Sequence, residues 1–106
     1  GNNWLSGFWN GLSGVAYHEG WITQSSSDVY GNNWIYSTDQ NSLYRANGTT
    51  QGTSGGTAST NLVVNTGSYS GETSDFMIAE IIIYNSTLSS TNYQLVESYF
   101  STKYGI

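Results

Sequence analysis

Carboxylates are the groups of this chain that could hydrolyse a glycosidic bond, which requires two of them roughly 5 to 9.5 Å apart. Glu80 stands alone inside an apolar run, with no acidic residue within four positions on either side. No nucleophile-elbow motif accompanies the many serines. The sequence therefore predicts no catalytic residue and no enzyme. We interpret Glu80 as a structural carboxylate that accepts hydrogen bonds from backbone groups or tyrosine hydroxyls where a strand meets a helix.

A second group of polar residues contains oxygen ligands of the kind that suits Ca²⁺. It consists of the single histidine and three acidic residues: His18, Glu19, Asp28 and Asp39. Their spacing does not match a known metal-binding loop, and the absence of cysteine removes every thiolate site. We therefore predict no metal site and no cofactor, with Ca²⁺ as the alternative.

The aromatic side chains could provide a platform on which sugar rings stack. They make up 15% of the chain and include four tryptophans and nine tyrosines. Most of these rings are expected to fill a core, with their polar atoms at its margin. Trp21 and Tyr30 lie beside polar stretches and are better candidates for carbohydrate binding than Trp34.

Two sequons for N-glycosylation occur, Asn47-Gly48-Thr49 and Asn85-Ser86-Thr87. Both fall in predicted turns, where an acceptor is accessible, although two sequons are no enrichment in a chain so rich in Asn, Ser and Thr. Asn47 and Asn85 are both candidate sites. Asn85 is the better one, because a hairpin turn also requires Asn47.

The C-terminal third of the chain predicts a buried strand followed by a helix. Residues 76–84 form an apolar run interrupted only by Glu80, as in a strand that is buried on both faces. Ser89 is a good N-cap, and Lys103 and Gly105 suit the last turn and the residue after a helix. Between them, apolar residues recur at helical spacing: Tyr93, Val96, Phe100 and Tyr104.

The stretches AEIIIYN, LSS and VESYFSTKYGI resemble the C-terminal signature of the laminin-G-like branch of the concanavalin A-like lectin/glucanase superfamily. Asn92 departs from that signature, because the family usually has an acidic residue there that completes a capping box with Ser89. The resemblance implies an all-β fold, a jelly-roll antiparallel β-sandwich with one C-terminal α-helix. It also implies that residues 1–106 are the C-terminal portion of one such domain, excised from a longer chain.

The rest of the chain predicts about seven short strands separated by turns. Glycines punctuate the apolar pieces of the first 24 residues, and strands are expected at 33–37, 43–46 and 61–65. A turn is expected at 39–42, and Asn47-Gly48 indicates a hairpin with a type I′ turn. Residues 49–60 are interpreted as a long surface loop. The order of these hairpin elements is also similar to the laminin-G-like family.

Composition excludes several classes of partner. Two basic residues against seven acidic ones give a net charge of −5, which provides no patch for nucleic acid or an anionic membrane. No apolar run approaches the roughly 20 residues of a membrane-spanning helix, and the start at Gly1 suggests a mature or excised piece.

We therefore predict a non-catalytic extracellular or cell-surface module for adhesion or assembly, such as a glycosylated subunit or domain of an extracellular fibre or matrix protein. Its partners would be other copies of itself, or neighbouring domains or chains that supply missing strands by β-augmentation. The alternative is a carbohydrate-binding lectin module that could depend on Ca²⁺. A hydrolase would require that a missing part of the chain carry the acids.

Overall fold

The computed structural model describes residues 4–23, 33–53, 62–66, 71 and 73–106. In these ranges it contains five strands and one helix: β1 (Trp4–Trp9), β2 (Leu12–His18), β3 (Ser37–Gln40), β4 (Leu43–Ala46), β5 (Thr49–Gly52) and α1 (Ser90–Tyr104). The strands form two antiparallel sheets, one with the order β1–β2 and one with the order β3–β4–β5.

The predicted jelly-roll sandwich is wrong, because this part of the chain contains only a two-stranded and a three-stranded sheet. Two apolar runs were expected to supply further strands, at 61–65 and 76–84. The described residues of both runs lie outside the strands. Apolar composition favours a strand only when a neighbouring strand offers backbone partners and cover, and neither run has such a neighbour in the described ranges.

Asn-Gly turns close two of the three described hairpins. Asn47 and Gly48 have φ of 48° and 76°, which confirms the predicted type I′ turn between β4 and β5. Asn10 and Gly11 have φ of 49° and 78° and connect β1 to β2 in the same way. Gly14, with φ of 75°, lies inside β2 at a register shift, so the short apolar pieces of this region join into two longer strands.

The second sheet begins later in the chain than the sequence predicts. Strand β3 starts at Ser37, where the predicted strand 33–37 ends, and it includes the predicted turn residue Asp39. Gln40 pairs with Leu43, so a two-residue turn at 41–42 sets the register. The predicted strand at 43–46 is confirmed as β4. The predicted loop is wrong at its start, where β5 pairs with β4, and residues 54–60 lie outside the described ranges.

Val15 is fully buried, and Ala16 of β2 forms a small core cluster between the two sheets with Tyr44 and Ala46 of β4. Ile22 packs against it, because residues 22 and 23 fold back onto β2. Their backbone N–H groups donate to the Ala16 carbonyl, and the Thr23 hydroxyl accepts from Ala16 N at 3.0 Å. These contacts place the N-terminal hairpin against the second sheet.

The helix has the predicted ends. The Ser89 hydroxyl accepts a hydrogen bond from the Asn92 backbone N–H, and Gly105 has φ of 70° with its N–H donating to Ser101 O. Gln40 makes a reciprocal pair with Leu88, donating to its carbonyl at 3.3 Å and accepting from its N–H at 3.2 Å. The start of α1 is therefore fixed beside β3. No helix in the described ranges is long and apolar enough to span a membrane.

Candidate functional site

A run of exposed apolar side chains lies at residues 76–84 of the described structure, and we call it the apolar segment. It was predicted to be buried on both faces, and it is exposed on both: Met77 75%, Ile78 45%, Ile81 50%, Ile82 39%, Ile83 70% and Tyr84 48%. Among the described residues, no backbone–backbone hydrogen bond joins it to another segment. The predicted burial is therefore wrong, because nothing in the described ranges covers these side chains.

Contacts on either side hold the apolar segment in place without covering it. Before it, the Asn65 amide donates to Ser74 O and accepts from Ser74 N, both at 2.7 Å. At its start, the Phe76 ring stacks on Phe8 of β1 with centroids 4.7 Å apart. After it, the pair between Gln40 and Leu88 fixes the approach to the helix. The segment is thus presented at a defined place on the fold.

Glu80 attaches the middle of the apolar segment to the C-terminal end of α1. Its carboxylate accepts hydrogen bonds from Lys103 Nζ at 2.8 Å, from Tyr104 OH at 2.6 Å and from Tyr99 OH at 3.0 Å. This confirms the interpretation of Glu80 as a structural carboxylate bound by tyrosine hydroxyls. The bonds from Lys103 and then Tyr104 lower the pKa of Glu80 to about 2.

This depressed pKa predicts a specific acid sensitivity. Because the folded state holds Glu80 ionised, its contribution to stability is present above the ordinary pKa of 4.5 and is lost as the pH falls towards about 2. We expect urea denaturation midpoints of the wild type and Glu80→Gln to differ at pH 6 and to converge as the pH falls towards 2. A constant difference over this range would contradict the assignment.

A buried ion pair joins the helix to the second sheet. Arg45 on β4 donates from Nε to Glu97 Oε1 at 2.7 Å and from a terminal nitrogen to Glu97 Oε2 at 3.1 Å. The Thr38 hydroxyl also donates to Glu97, and Thr50 accepts from Arg45. The Arg45 guanidinium lies 5.0 Å from the centroid of the Tyr93 ring. These bonds occupy the guanidinium, so the pair serves as an anchor and not as an anion-binding site.

The predicted metal candidates are only partly brought together. His18 Nε2 lies 2.7 Å from Asp39 Oδ1, and the imidazole is fully buried beneath the stacked Trp4 indole, with centroids 3.6 Å apart. Burial raises the pKa of Asp39, while Ser6 and His18 oppose the rise. Glu19 is exposed and Asp28 lies outside the described ranges, within which no three possible ligands gather.

The structure shows the surroundings of two candidate sugar-binding rings, Trp21 and Trp34, but not of Tyr30. Trp21 is 37% exposed, and its indole is held edge-on by Trp9 and Tyr17, with centroids 5.0 and 5.4 Å away. Trp34, which the sequence ranks below it, is 50% exposed. Tyr30 lies outside the described residues. Carbohydrate binding at Trp21 and Tyr30 therefore stays a prediction.

The sequence did not identify the partners of Glu80, nor did it identify the pair of Arg45 and Glu97. One signal was present for the pair. Arg45 lies between the apolar residues Tyr44 and Ala46, and Glu97 follows Tyr93 by one helical turn on the same face. In a chain with only 8% charged residues, charges at such positions indicate a buried pair.

Comparison of the chain with protein families, curated proteins and solved structures finds no match. The laminin-G-like resemblance thus stays a prediction from the sequence.

Proposed function

We propose that this chain is a non-catalytic extracellular assembly module that associates with further copies of itself through the apolar segment. The observation that supports this proposal is the exposure of large apolar side chains on both faces of residues 76–84. A contiguous exposed patch of this kind is typical of an interaction surface. The segment is rich in isoleucine, which favours pairing as a strand. Backbone hydrogen bonds to a partner strand would therefore accompany the burial of apolar side chains.

The charges favour a second copy as the partner. Glu80 is the only charged residue of the apolar segment, and Lys103 already neutralises it at 2.8 Å. Two copies of the segment can therefore approach each other without repulsion between unpaired charges there. The segment also has no unpaired charge that would select an oppositely charged partner. Closed self-association is moreover the commonest form of protein assembly.

The available free energy is large enough for such an interface. Covering the exposed parts of the five isoleucine and methionine side chains corresponds to about 4 to 8 kcal/mol, at about 1.5 to 3 kcal/mol for each fully buried side chain. Backbone pairing and the Tyr84 ring add to this, while the loss of translational and rotational freedom opposes it. Both copies of a dimer contribute this surface, so the apolar gain is about 8 to 16 kcal/mol, against an association cost of about 4 to 15 kcal/mol.

Sedimentation of purified chain over a range of concentrations tests the proposal. The wild type is expected to form dimers or larger species. The double variant Met77→Lys/Ile83→Lys is expected to weaken association at least tenfold, because it places two unpaired charges in the interface. Leu95→Lys is the matched control, since Leu95 is 64% exposed on the helix and lies outside the segment.

Two results would overturn the proposal. One is a wild type that stays monomeric at the highest concentration that can be reached. The other is a control variant that dissociates as readily as the double variant, which would move the interface to the helix. Circular dichroism of each variant would show whether the fold is retained.

A further inference from the structure

We propose that the chain accepts an N-linked glycan at Asn85 and excludes one at Asn47 when it is exported through a compartment that performs N-glycosylation. The sequence treats both sequons as candidates, and the structure separates them. Asn85 directly follows the apolar segment. The inference still does not depend on self-association, because site occupancy is a property of the single chain and is tested by a different measurement.

Asn47 is part of the backbone architecture of its hairpin. Its N–H donates to Tyr36 O at 2.9 Å, and its side-chain Oδ1 accepts from Tyr36 N at 3.2 Å. The Tyr36 hydroxyl lies against the turn, 3.2 Å from where a Cβ on Gly48 would stand. Asn47 itself is half-buried, with φ of 48°. The amide nitrogen takes no part in these two bonds, but the bond to Oδ1 fixes the orientation of the half-buried carboxamide. A sugar on that nitrogen would have to fit in this orientation, because rotation of the carboxamide would break the bond from Tyr36 N.

Asn85 is in the opposite situation. Asn85, Ser86 and Thr87 are all exposed, and they lie between the apolar segment and the N-cap of α1, outside every strand and helix. Within the described ranges, no residue makes a hydrogen bond with the Asn85 side chain. The amide is therefore free to carry a bulky, solvated group, and the fold needs no rearrangement to accommodate it.

The reaction is a transfer from a lipid-linked oligosaccharide pyrophosphate, which the exporting compartment supplies. The Asn85 amide nitrogen forms a bond to the anomeric carbon and loses a proton. The bond from that carbon to the pyrophosphate oxygen breaks, and the lipid pyrophosphate leaves with the electron pair. The Thr87 hydroxyl completes the acceptor sequence.

Expression behind a secretion signal in a eukaryotic cell, followed by glycopeptide mass spectrometry of the secreted chain, tests the assignment. We expect one glycan per chain at Asn85, and unmodified Asn47. Thr87→Ala should abolish the modification without changing either asparagine. Thr49→Ala, which removes the sequon of Asn47 in the same way, is the matched control and should leave occupancy unchanged.

The cell-retained pool gives a second readout, since chains modified at Asn47 are expected to be retained there as misfolded species. Equal occupancy of both sites in the secreted chain would overturn the proposal. It would also be overturned if both sites were empty while a sequon-bearing reporter, secreted by the same cells, is glycosylated.

Discussion

Replacing Glu97 with alanine is expected to lower the free energy of unfolding by about 3 to 5 kcal/mol, because the change leaves the buried Arg45 without its partner. The side chains of Arg45 and Glu97 are only 11% and 7% exposed. Alanine is the best helix former, so loss of helix propensity cannot account for the effect. Whole domains of this kind are stable by about 5 to 15 kcal/mol, and the variant would be close to unfolding at room temperature. Urea denaturation followed by tryptophan fluorescence measures the change.

Two further variants separate the ion pair from the helix that carries it. Glu80→Ala breaks an exposed carboxylate network at the C-terminal end of α1, so a smaller loss is expected. Arg45→Met/Glu97→Leu removes both charges and should recover much of the stability lost in Glu97→Ala. If Glu97→Ala is no more harmful than Glu80→Ala, the buried pair does not anchor the helix.

Replacing Gly52 with alanine is expected to cost about 1 to 3 kcal/mol or more by overpacking. A Cβ at this position would lie 2.7 Å from Ile22 Cγ2 and closer still to the Ile22 carbonyl oxygen. Because a backbone atom blocks the space, a change of rotamer cannot relieve the contact. The variant should push the 22–23 segment away from β5 and loosen the small core. Thermal unfolding measures the loss.

Gly20→Ala is the matched control for Gly52→Ala. A Cβ at Gly20 meets no atom within 4 Å, and no positive φ strains a side chain there. It is expected to be close to neutral. Equal effects of the two variants would show that backbone entropy, and not the approach of Ile22 to β5, determines the loss.

Local features of the fold could be predicted from the sequence. The helix ends follow from Ser89 and Gly105, because a cap depends only on residues within one turn of it. The turn at Asn47-Gly48 follows in the same way, and the same reasoning applied to Asn10-Gly11 would have placed the first hairpin. These interactions are encoded within a few residues, so a short stretch of sequence suffices.

Features that depend on distant segments could not be predicted. The composition of residues 76–84 indicates burial. Burial requires other segments to cover these side chains, and no segment of the described ranges does so. The start of β3 was misplaced because pairing with β4, and not the composition of residues 33–37, sets its register. The partner of Arg45 lies 52 residues away, at a separation that no local pattern reveals.

The role of Glu80 could be predicted from the sequence, but the position and exposure of the apolar segment could not. Glu80 was expected to accept hydrogen bonds from backbone groups or tyrosine hydroxyls, because a lone carboxylate in an apolar run needs such donors. The donors are supplied by Tyr99, Lys103 and Tyr104. They reach Glu80 only because the apolar segment lies along the last turns of the helix, which the sequence does not reveal. The functional proposal depends on the exposure of the surrounding isoleucines. The apolar run of the sequence indicated burial instead, so this exposure could be seen only in the structure.

The separation between Arg45 and Glu97 also has a kinetic consequence. Each hairpin closes through a two-residue turn, and hairpins of this kind form in about 1 to 10 μs. Docking of α1 must instead close a loop of 52 residues before its ion pair forms. The helix is therefore expected to join the sheets after the transition state, so substitutions at Glu97 should mainly accelerate unfolding and leave the refolding rate nearly unchanged.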